Sequence, residues 1–433
     1  MLNFYQVLEK KIKVKKAKIA VVGLGYVGLP LAIAFAKKGF LVLGLDVDRE
    51  RIARLKKRQS YITDVSTLEL KRVIASKKFL TYDNFRILKQ ADVILICVPT
   101  PLKTKYSPDI SYIRQAVKSI SKNMKAGSLV VLESTTYPGT TEEVILPLLQ
   151  KGKMRHGKDF YLCFSPERID PGNKAYPVEA IPKVVGGINK EAVSLAALVY
   201  QQIIKKVIPV SSTRVAEAVK LLENTFRLVN IGLIDELAMM AHRMGIDIWE
   251  VIEAAKSKPF GFLPFYPGPG VGGHCIPKDP LYLYWKARHC GFNSRFIKLA
   301  SGIVSRMPDY IVGRLGHILE KEKSVKNVLV IGVTYKKDIK DLRKSPAIDI
   351  IELLKKNKYA VSYYDPLIPY LKLDHIDLKS IVLNRANLAK FSCVVIATEH
   401  SGLDYKFILK NSKLIFDTRN AYKGIKDRKV HRL

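Results

Sequence analysis

One cysteine lies in a segment rich in glycine and proline, residues 267–279, which reads PGPGVGGHCIPKD. Glycine lets a backbone approach a ligand closely and turn with positive φ, so this segment can display the thiol of Cys275 to a carbon atom of a bound molecule. A thiolate is a strong nucleophile, and a lysine and an acid, Lys278 and Asp279, follow within four residues. The segment therefore predicts nucleophilic catalysis. A surface loop with an incidental cysteine is the alternative interpretation.

Two further polar residues, Lys220 and Asn224, are four positions apart in a long segment with helical periodicity. They would share one face of a helix, which Arg227 continues. A lysine and an amide directed at one oxygen can stabilise a developing oxyanion. Because such spacings are common on helices, a solvated face is the alternative. The segment 213–244 exceeds the usual helix length, so we expect it to join two lobes and to contribute to a dimer interface.

A third pattern, G-x-G-x-x-G at Gly23, Gly25 and Gly28, lies between a short apolar run and a predicted helix, and a second apolar run then ends in Asp46. Strand, turn, helix, strand and acid form the dinucleotide-binding fingerprint, in which helix amides hold the phosphates. A carboxylate at this place binds a ribose diol and repels a 2′-phosphate. The pattern therefore predicts NAD rather than NADP, although the nearby Arg51 could soften that preference.

The elements that must position these residues follow an α/β pattern. Over about the first 210 residues, short runs of Val, Ile and Leu alternate with helical stretches, which is typical of a parallel sheet covered on both faces. The alternation returns after about residue 310, where a strand at 326–332, a helix at 346–355 and a strand ending in Asp365 echo the first lobe but keep only Gly332 of its fingerprint. Two nucleotide-binding lobes imply a cofactor and a nucleotide-activated substrate.

We therefore predict an α/β fold with two Rossmann-like parallel-sheet domains, joined by a long central helix and a helical dimerisation domain. The predicted boundaries are 1–210 for the NAD-binding domain, 211–310 for the central domain with the cysteine loop, and 311–433 for the second Rossmann-like domain.

Composition narrows the possible partners. The 433 residues include 73 Lys and Arg against 39 Asp and Glu, a net charge of +34, but the basic residues are spread along the chain without a nucleic-acid-binding signature. No apolar run approaches the roughly 18 residues of a membrane span, and the N-terminal residues do not resemble a secretory signal. The five cysteines are scattered and form neither a disulfide framework nor a C-x-x-C metal site. We expect no nucleic acid, membrane or metal partner, and a reducing cytoplasm.

Several motifs occur in the order found in one family. They are GLGYVG at 23–28, VPTP at 98–101, ESTTYPGTT at 133–141, SPER at 165–168, KLLEN at 220–224, the cysteine loop, and GVTYK at 332–336 continuing to DLRKSP at 341–346. Over nearly its whole length the chain resembles the UDP-glucose/GDP-mannose dehydrogenase family. The resemblance implies oxidation of the C6 hydroxyl of a UDP-sugar to a carboxylate in two hydride transfers to NAD, through a thiohemiacetal and a thioester on Cys275. It also implies a homodimer or higher homo-oligomer, a UDP-sugar-binding third domain, and a role in surface polysaccharide precursor synthesis.

The resemblance also assigns roles to single residues. Cys275 would be the nucleophile, Lys220 and Asn224 the oxyanion donors with the lysine also moving the first proton, and Asp279 the acid that assists water. The full catalytic set that it implies is Cys275, Lys220, Asn224, Asp279, Glu167 and Thr135. The implied cofactor-binding residues are Gly23, Gly25, Tyr26, Val27, Gly28, Asp46, Arg51, Thr100, Thr135 and Arg343. The implied substrate-binding residues are Arg168, Ile169, Lys220, Asn224, Arg227, Gly272, Tyr335 and Lys336.

Two local segments bear on the identity of the sugar. Family members acting on UDP-glucose or GDP-mannose often place an acid four residues after the Ser-Pro-Glu glutamate, where this chain has Pro171, so the segment resembles the UDP-N-acetylhexosamine branch. Members acting on UDP-N-acetylmannosamine carry His-Pro-Arg where this chain has Pro259, Phe260 and Gly261. The resemblance therefore favours UDP-N-acetylglucosamine, with UDP-glucose and UDP-N-acetylmannosamine as alternatives. A non-catalytic nucleotide-sugar-binding protein and a single-step alcohol dehydrogenase are alternatives of other classes.

Overall fold

The computed structural model describes residues 3–62, 65–103, 106–168, 178–373 and 375–433. The chain divides into two compact units. Unit 1 contains Met1–Glu223 and Leu281–Phe292, and unit 2 contains Asn224–Pro280 and Asn293–Leu433.

Unit 1 is built on one large sheet with helices. Its strands are β1 (Lys18–Val22), β2 (Leu41–Leu45), β3 (Phe79–Tyr82), β4 (Val93–Ile96), β5 (Ser128–Leu132), β6 (Phe160–Phe164), β7 (Lys183–Gly187) and β8 (Val207–Val210). Its helices are α1 (Phe4–Lys13), α2 (Gly28–Lys37), α3 (Arg49–Lys56), α4 (Thr67–Ala75), α5 (Ser111–Asn123), α6 (Leu146–Gln150) and α7 (Lys190–Gln201), after which α8 (Thr213–Arg243) begins in unit 1 and ends in unit 2. The strands of this sheet lie in the order 3-2-1-4-5-6-7-8.

The pairing in this sheet confirms the predicted parallel arrangement. Neighbouring strands are parallel, with the exception of β6 and β7, which are antiparallel. The alternation of side chains along each central strand fills two cores, since Ile19 and Val21 of β1 pack into one buried cluster while Ala20 and Val22 pack into another. Both faces are covered, which explains why these strands read as continuous apolar runs.

At the amino edge of the same sheet, a buried acid precedes β4. Asp92 accepts hydrogen bonds of 2.8 Å from the Nζ atoms of Lys11 and Lys125 and from the Lys18 N–H. Burial raises the pKa of Asp92, but these donors outweigh burial and hold it below its usual value. This ion-pair cluster lies at the sheet edge away from the carboxyl ends of the strands.

Unit 2 contains a second, smaller parallel sheet. Its strands are β9 (Asn327–Ile331), β10 (Ala360–Tyr364), β13 (Cys393–Ile396), β14 (Ile415–Asp417) and β15 (Val430–Arg432), in the order 10-9-13-14-15, with β11 (Tyr370–Leu373) and β12 (Ile376–Lys379) forming a separate antiparallel hairpin. The remaining helices are α9 (Ile248–Lys256), α10 (Asp279–His289, which ends in unit 1), α11 (Arg295–Lys321), α12 (Pro346–Lys356), α13 (Arg385–Leu388) and α14 (Tyr405–Asn411). Two Rossmann-like parallel sheets and a long helix at 213–243 confirm the predicted fold class.

The first turn after the first strand has the same construction in both units. Gly23 has φ +93° after β1, and Gly332 has φ +81° after β9. A Cβ atom at Gly23 would overlap the carbonyl oxygen of Cys97, and one at Gly332 would overlap that of Thr398. In unit 1 the helix α2 follows this turn directly, whereas in unit 2 a loop separates the turn from α12. Only the first turn therefore has the geometry of a dinucleotide site.

The acid at the end of the second strand also recurs. In unit 1 an Oδ2 atom of Asp46 accepts the Leu24 N–H at 2.8 Å, and in unit 2 an Oδ2 atom of Asp365 accepts the Val333 N–H at 2.7 Å. Each carboxylate thus holds the backbone of the glycine turn against the neighbouring strand.

Among the described residues, none of the helices combines the length and the apolar character that crossing a bilayer would need. In the same part of the chain, no group of three or more His, Cys, Asp or Glu side chains is placed to hold a metal ion.

Candidate active site

The glycine turn of unit 1 has the features that a dinucleotide requires. A Cβ atom at Gly28 would overlap the Gly23 carbonyl oxygen, so the third glycine is needed for the helix to start where it does. A Cβ atom at Gly25 would meet nothing within 4 Å, so the space beside this residue is open. Within the described chain no side chain caps the N-terminus of α2, which leaves its first amides to a phosphate. The exposed Tyr26 and half-buried Val27 border this opening. These residues fit the pyrophosphate of NAD.

The acid predicted to bind the adenosine ribose lies at the carboxyl end of β2. Besides the Leu24 amide, Asp46 accepts the N–H of Asp48 at 2.9 Å and Nη1 of Arg51 at 3.3 Å. Arg51 also pairs with Asp48, with 3.2 Å between Nε and Oδ2. The structure therefore brings Asp46 and Arg51 together, and the guanidinium is already engaged by two carboxylates.

The two threonines predicted near the nicotinamide follow the neighbouring strands β4 and β5. Thr100 is buried, and its carbonyl oxygen accepts a hydrogen bond from the Tyr282 hydroxyl. Thr135 is half-buried in the segment 133–141. Because the carboxyl ends of parallel strands share one sheet edge, both threonines lie on the edge that carries the glycine turn.

A buried glutamate that the sequence did not predict holds the end of that segment. Glu217 of α8 accepts the N–H of Gly139 at 2.5 Å, and the N–H and hydroxyl of Thr141 at 2.9 and 2.7 Å. Burial raises the pKa of Glu217 to about 7, although these three donors act in the opposite direction. Glu217 lies one helical turn before Lys220, so α8 fixes both the threonine segment and the predicted catalytic lysine.

The predicted lysine is buried and paired with the predicted glutamate. Lys220 Nζ donates to the carbonyl oxygen of Glu167 at 2.5 Å and lies 3.3 Å from its Oε2. Lys220 is 6% exposed and Glu167 is 9% exposed. Arg168, which follows Glu167, donates from its guanidinium group to Oε1 of Glu223 at 2.5 Å and to the Pro182 carbonyl oxygen at 2.7 Å. A buried ammonium group held by one glutamate is poised to donate to, or exchange a proton with, an oxygen atom.

In unit 2 the cysteine loop is held against the loop that follows β9. A Cβ atom at Gly272 would lie 2.5 Å from Cβ of Tyr335 and 2.6 Å from the Lys344 carbonyl oxygen, so a larger residue would force the two segments apart. Gly273, with φ +84°, donates its N–H to the Arg343 carbonyl at 2.8 Å. The structure thus brings together three residues predicted for ligand binding, namely Gly272, Tyr335 and Arg343.

Cys275 lies four residues before the start of α10, in the turn that leads into this helix. Its carbonyl oxygen accepts the N–H groups of Lys278 at 3.0 Å and Asp279 at 2.8 Å, which close the first turn of the helix. The Asp279 carboxylate is buried and accepts Nδ2 of Asn224 at 2.7 Å. This bond joins two residues of the predicted catalytic set that are far apart in sequence, and it fixes the amide of Asn224 in one orientation.

The environment of Cys275 differs from that of the other cysteines. Cys97, Cys163 and Cys393 are buried, and burial raises the pKa of each thiol, to about 12 for Cys393. Cys290 is exposed after the end of α10, and Cys275 is half-exposed in the glycine loop. A nucleophilic thiol must be accessible, and structural buried thiols are inert, so accessibility excludes the three buried cysteines, and of the other two it is Cys275 that lies in the glycine loop.

The remaining predicted residues are placed as follows. Arg227 is exposed on α8, Lys336 is half-buried after β9, and Arg343 pairs with Asp341 at 2.5 Å. Ile169 and Pro171 lie outside the described residues. The predicted residues of unit 1 are Gly23, Gly25, Tyr26, Val27, Gly28, Asp46, Arg51, Thr100, Thr135, Glu167, Arg168 and Lys220. Those of unit 2 are Asn224, Arg227, Gly272, Cys275, Asp279, Tyr335, Lys336 and Arg343.

Family models match most of the chain. Residues 17–204 match the NAD binding domain of the UDP-glucose/GDP-mannose dehydrogenase family, residues 214–303 match its central domain, and residues 329–424 match its UDP binding domain.

Individual relatives and solved structures are similar over nearly the full length. The chain is 37% identical over 415 residues to UDP-N-acetyl-D-mannosamine dehydrogenase of Pyrococcus horikoshii, covering 94% of this chain and 96% of that protein. It is 41% identical over 357 residues to UDP-N-acetyl-D-glucosamine 6-dehydrogenase of Pseudomonas aeruginosa, covering 81% and 83%. A solved structure described as the UDP-D-ManNAc dehydrogenase of Pyrococcus horikoshii has a TM-score of 0.86 at 34% identity, covering 96% of this chain and 98% of that one.

Proposed function

This chain belongs to the UDP-glucose/GDP-mannose dehydrogenase family, and we propose that it oxidises the C6 hydroxyl of UDP-N-acetyl-D-glucosamine to the carboxylate. It is an NAD-dependent dehydrogenase of UDP-sugars. The finer assignment, both of the sugar and of the cysteine mechanism, rests on the residues of the candidate active site and on the relatives. The observation that carries it is Cys275, which is half-exposed in a glycine loop whose backbone starts the helix bearing Asp279.

In the first oxidation the chain handles a proton and a developing negative charge. Asn224, one turn after Lys220 on α8, donates a hydrogen bond to the C6 oxygen. Lys220, as the neutral amine, accepts the hydroxyl proton while the hydride leaves C6, donates as an ammonium group to the oxygen, and afterwards releases the proton to water. NAD, when bound, accepts the hydride of each oxidation. The product of this step is the aldehyde. The pairing of Lys220 with Glu167 keeps the ammonium group in place without a flexible surface side chain.

In the second oxidation Cys275 forms a covalent bond to the substrate. Its thiolate adds to the aldehyde carbon and gives a thiohemiacetal, which loses a hydride and becomes a thioester. Water then attacks the thioester carbon and the carbon–sulfur bond breaks. The carboxylate is released and the Cys275 thiol is regenerated. Asp279, held by Asn224, accepts a proton from that water. The complete reaction consumes two NAD and one water for each sugar.

The assignment of the sugar rests on the segment that precedes the cysteine loop. Pro259, Phe260 and Gly261 stand where the UDP-N-acetylmannosamine branch has His-Pro-Arg, and Gly261 has φ +69°, which the arginine would adopt only with strain. The relative from Pseudomonas aeruginosa supports UDP-N-acetylglucosamine. The relative from Pyrococcus horikoshii, which matches more of the chain, makes UDP-N-acetylmannosamine the second candidate.

A substrate panel tests both levels of this proposal. We expect purified protein with NAD to oxidise UDP-N-acetylglucosamine with a kcat/KM at least about tenfold above those for UDP-N-acetylmannosamine and UDP-glucose, since a site built to bind one substituent commonly loses more than 1 kcal/mol with another. We also expect two NADH for each sugar consumed. A preference for UDP-N-acetylmannosamine would overturn the sugar assignment alone. One NADH per sugar would contradict the cysteine mechanism, and binding without oxidation would favour a non-catalytic protein.

We further propose that the chain forms a homodimer through α8. Six apolar side chains are exposed on this helix or directly after it, and their spacing of seven, four, seven, seven and four residues places them on one stripe: Val215, Leu222, Phe226, Leu233, Met240 and Met244, the last directly after the helix end. A stripe of this kind is typical of an interface. We expect light scattering to give twice the mass of 48.8 kDa or a higher multiple, and a monomeric mass would contradict the proposal. The five cysteines, scattered along the chain without a disulfide framework, support a reducing cytoplasm.

A further inference from the structure

A buried ion pair in unit 1 has no role in the mechanism above. Lys183, the first residue of β7, donates from Nζ to Oε2 of Glu133 at 2.5 Å, and the Tyr200 hydroxyl of α7 donates to the other oxygen of Glu133. Glu133 is 1% exposed, Lys183 is 8% exposed and Tyr200 is fully buried. Within the described residues, this ion pair lies after the end of β5 and at the start of β7, on the edge of the sheet that also carries the glycine turn.

The same lysine reaches the segment that carries Glu167. Lys183 Nζ also donates to the carbonyl oxygen of Pro166 at 3.1 Å, and Pro166 directly precedes Glu167. Glu167 in turn accepts Lys220 through its carbonyl oxygen and its Oε2. Hydrogen bonds therefore connect Tyr200 and Glu133 through Lys183 to the Pro166 carbonyl, and the peptide bond from Pro166 leads to Glu167, the residue that holds Lys220.

A buried ion pair is by itself weak evidence of a contribution to stability. Removing two charges from water is costly, and well-packed apolar side chains of similar volume often serve the fold as well or better. A small cavity of about 30 Å³ adjoins the pair and is lined by Glu133, Glu167, Lys183 and Tyr200, so the packing here is not close either. The place of the pair next to Glu167 is its distinguishing feature.

We propose that Lys183 is a positioning residue of the active site, which holds the backbone of the Ser165–Glu167 segment and supplies positive charge beside Glu167, and that Glu133 and Tyr200 hold Lys183 in place. This inference rests on the proposed function of Glu167 and Lys220. It assigns to Lys183 and Glu133 no contact with substrate or cofactor.

The charges around Glu167 come from several elements. The titratable groups that face it, with the elements that carry them, are Lys220 on α8, Lys183 on β7, Glu133 after β5, Cys97 after β4, Tyr200 on α7 and the adjacent Arg168. Burial raises the pKa of Glu167, Lys220 and Lys183 act to lower it, and Glu133 raises it further. Lys183 and Glu133 therefore influence Glu167 in opposite directions.

Two variants that each remove one charge test the proposal, because Lys183 and Glu133 shift the pKa of Glu167 in opposite directions. Because the ionised form of Glu167 accepts Lys220, kcat/KM should fall as the pH drops through the pKa of Glu167. K183M removes a nearby positive charge and should move the midpoint of this acidic limb to higher pH by roughly one unit, while E133Q removes a negative charge and should move it to lower pH by a similar amount. The double variant should lie near the wild type, and K183R should restore most of the wild-type profile.

The control variant is D92N, which disrupts another buried carboxylate–lysine cluster of unit 1 at the opposite edge of the sheet. It should lower stability without moving the acidic midpoint. If K183M and E133Q leave the midpoint unchanged, or move it in the same direction, the proposal is wrong. Should K183M fail to fold, the downward shift of E133Q decides, because a merely structural role predicts none.

A measurement without turnover separates this inference from the proposed function. In protein labelled with ¹³C at the glutamate carboxyl, the signal of Glu167, assigned with E167Q, should titrate at higher pH in K183M and at lower pH in E133Q. These shifts would support the positioning role even if no UDP-sugar were oxidised. Unchanged titration in an active enzyme would overturn it while leaving the proposed function intact.

Discussion

Replacing Cys275 by serine should abolish the complete oxidation of the UDP-sugar while leaving the fold intact. A serine hydroxyl is almost entirely protonated near neutral pH and adds poorly to an aldehyde without a base placed beside it, so neither the covalent adduct nor the second hydride transfer should form at a useful rate. We expect kcat for production of the carboxylate to fall by about 10³-fold or more, equivalent to about 4 kcal/mol of lost transition-state stabilisation. Cys275 is half-exposed, so the exchange of sulfur for oxygen creates no buried cavity.

The measurement for this variant is the amount of NADH formed per active site and per sugar. C275S should form at most one NADH per active site, against two per sugar for the wild type. C290S is the matched control, because Cys290 is an exposed cysteine at the end of α10, and it should retain the wild-type rate. Wild-type turnover by C275S would show that the thiol is not the nucleophile and would leave a direct oxidation of the hydrated aldehyde as the remaining mechanism.

Replacing Lys220 by methionine should reduce kcat/KM by about 10² to 10⁴-fold. The side chain of methionine fills a similar volume, but it cannot donate to the C6 oxygen and cannot move a proton, and each of these functions contributes about 10² to 10³-fold in well-studied sites. The loss should fall mainly on kcat, because both interactions strengthen as charge develops on the oxygen. Lys220→Arg should rescue poorly, since a planar guanidinium exchanges protons far less readily than an ammonium group.

A cation elsewhere on the same helix provides the control for this variant. Arg243 is exposed at the end of α8, and R243M should keep kcat/KM within about twofold of the wild type. Thermal unfolding of both variants would show whether K220M remains folded. A folded K220M with wild-type kcat would exclude Lys220 from the chemistry and would leave Glu167 as the acid–base group to examine next.

Most strands of both sheets could be predicted because their signals are local, whereas β3, β7, β8 and β15 were not predicted. The apolar run before Gly23, the helix after Gly28 and the strand that ends in Asp46 are each encoded within about ten residues, and the same short-range pattern identified β9, β10 and α12 in the second lobe. The long helix was predictable for the same reason, since the segment 213–243 contains no proline.

The contacts that support the candidate active site could not be predicted, because they join residues far apart in sequence. Glu217 holds Gly139 and Thr141 across more than seventy positions, and Glu133 holds Lys183 across 50. A single chain does not reveal which of many lysines meets a given glutamate. The only local signal was a charged residue bordering an apolar run, as at Glu133 after β5 and at Lys183 at the start of β7.

The acid at the end of the second strand has a consequence for attempts to redesign cofactor choice. Asp46 fastens the Leu24 amide in unit 1, and Asp365 fastens the Val333 amide in unit 2, where no dinucleotide turn exists. The carboxylate therefore has a structural role in the turn that does not depend on binding a ribose. Truncating Asp46 to admit NADP, whose ribose carries a 2′-phosphate, would also remove the hydrogen bond that holds the glycine turn. Asparagine keeps an oxygen for that amide and discards the charge, so D46N should melt closer to the wild type than D46A does.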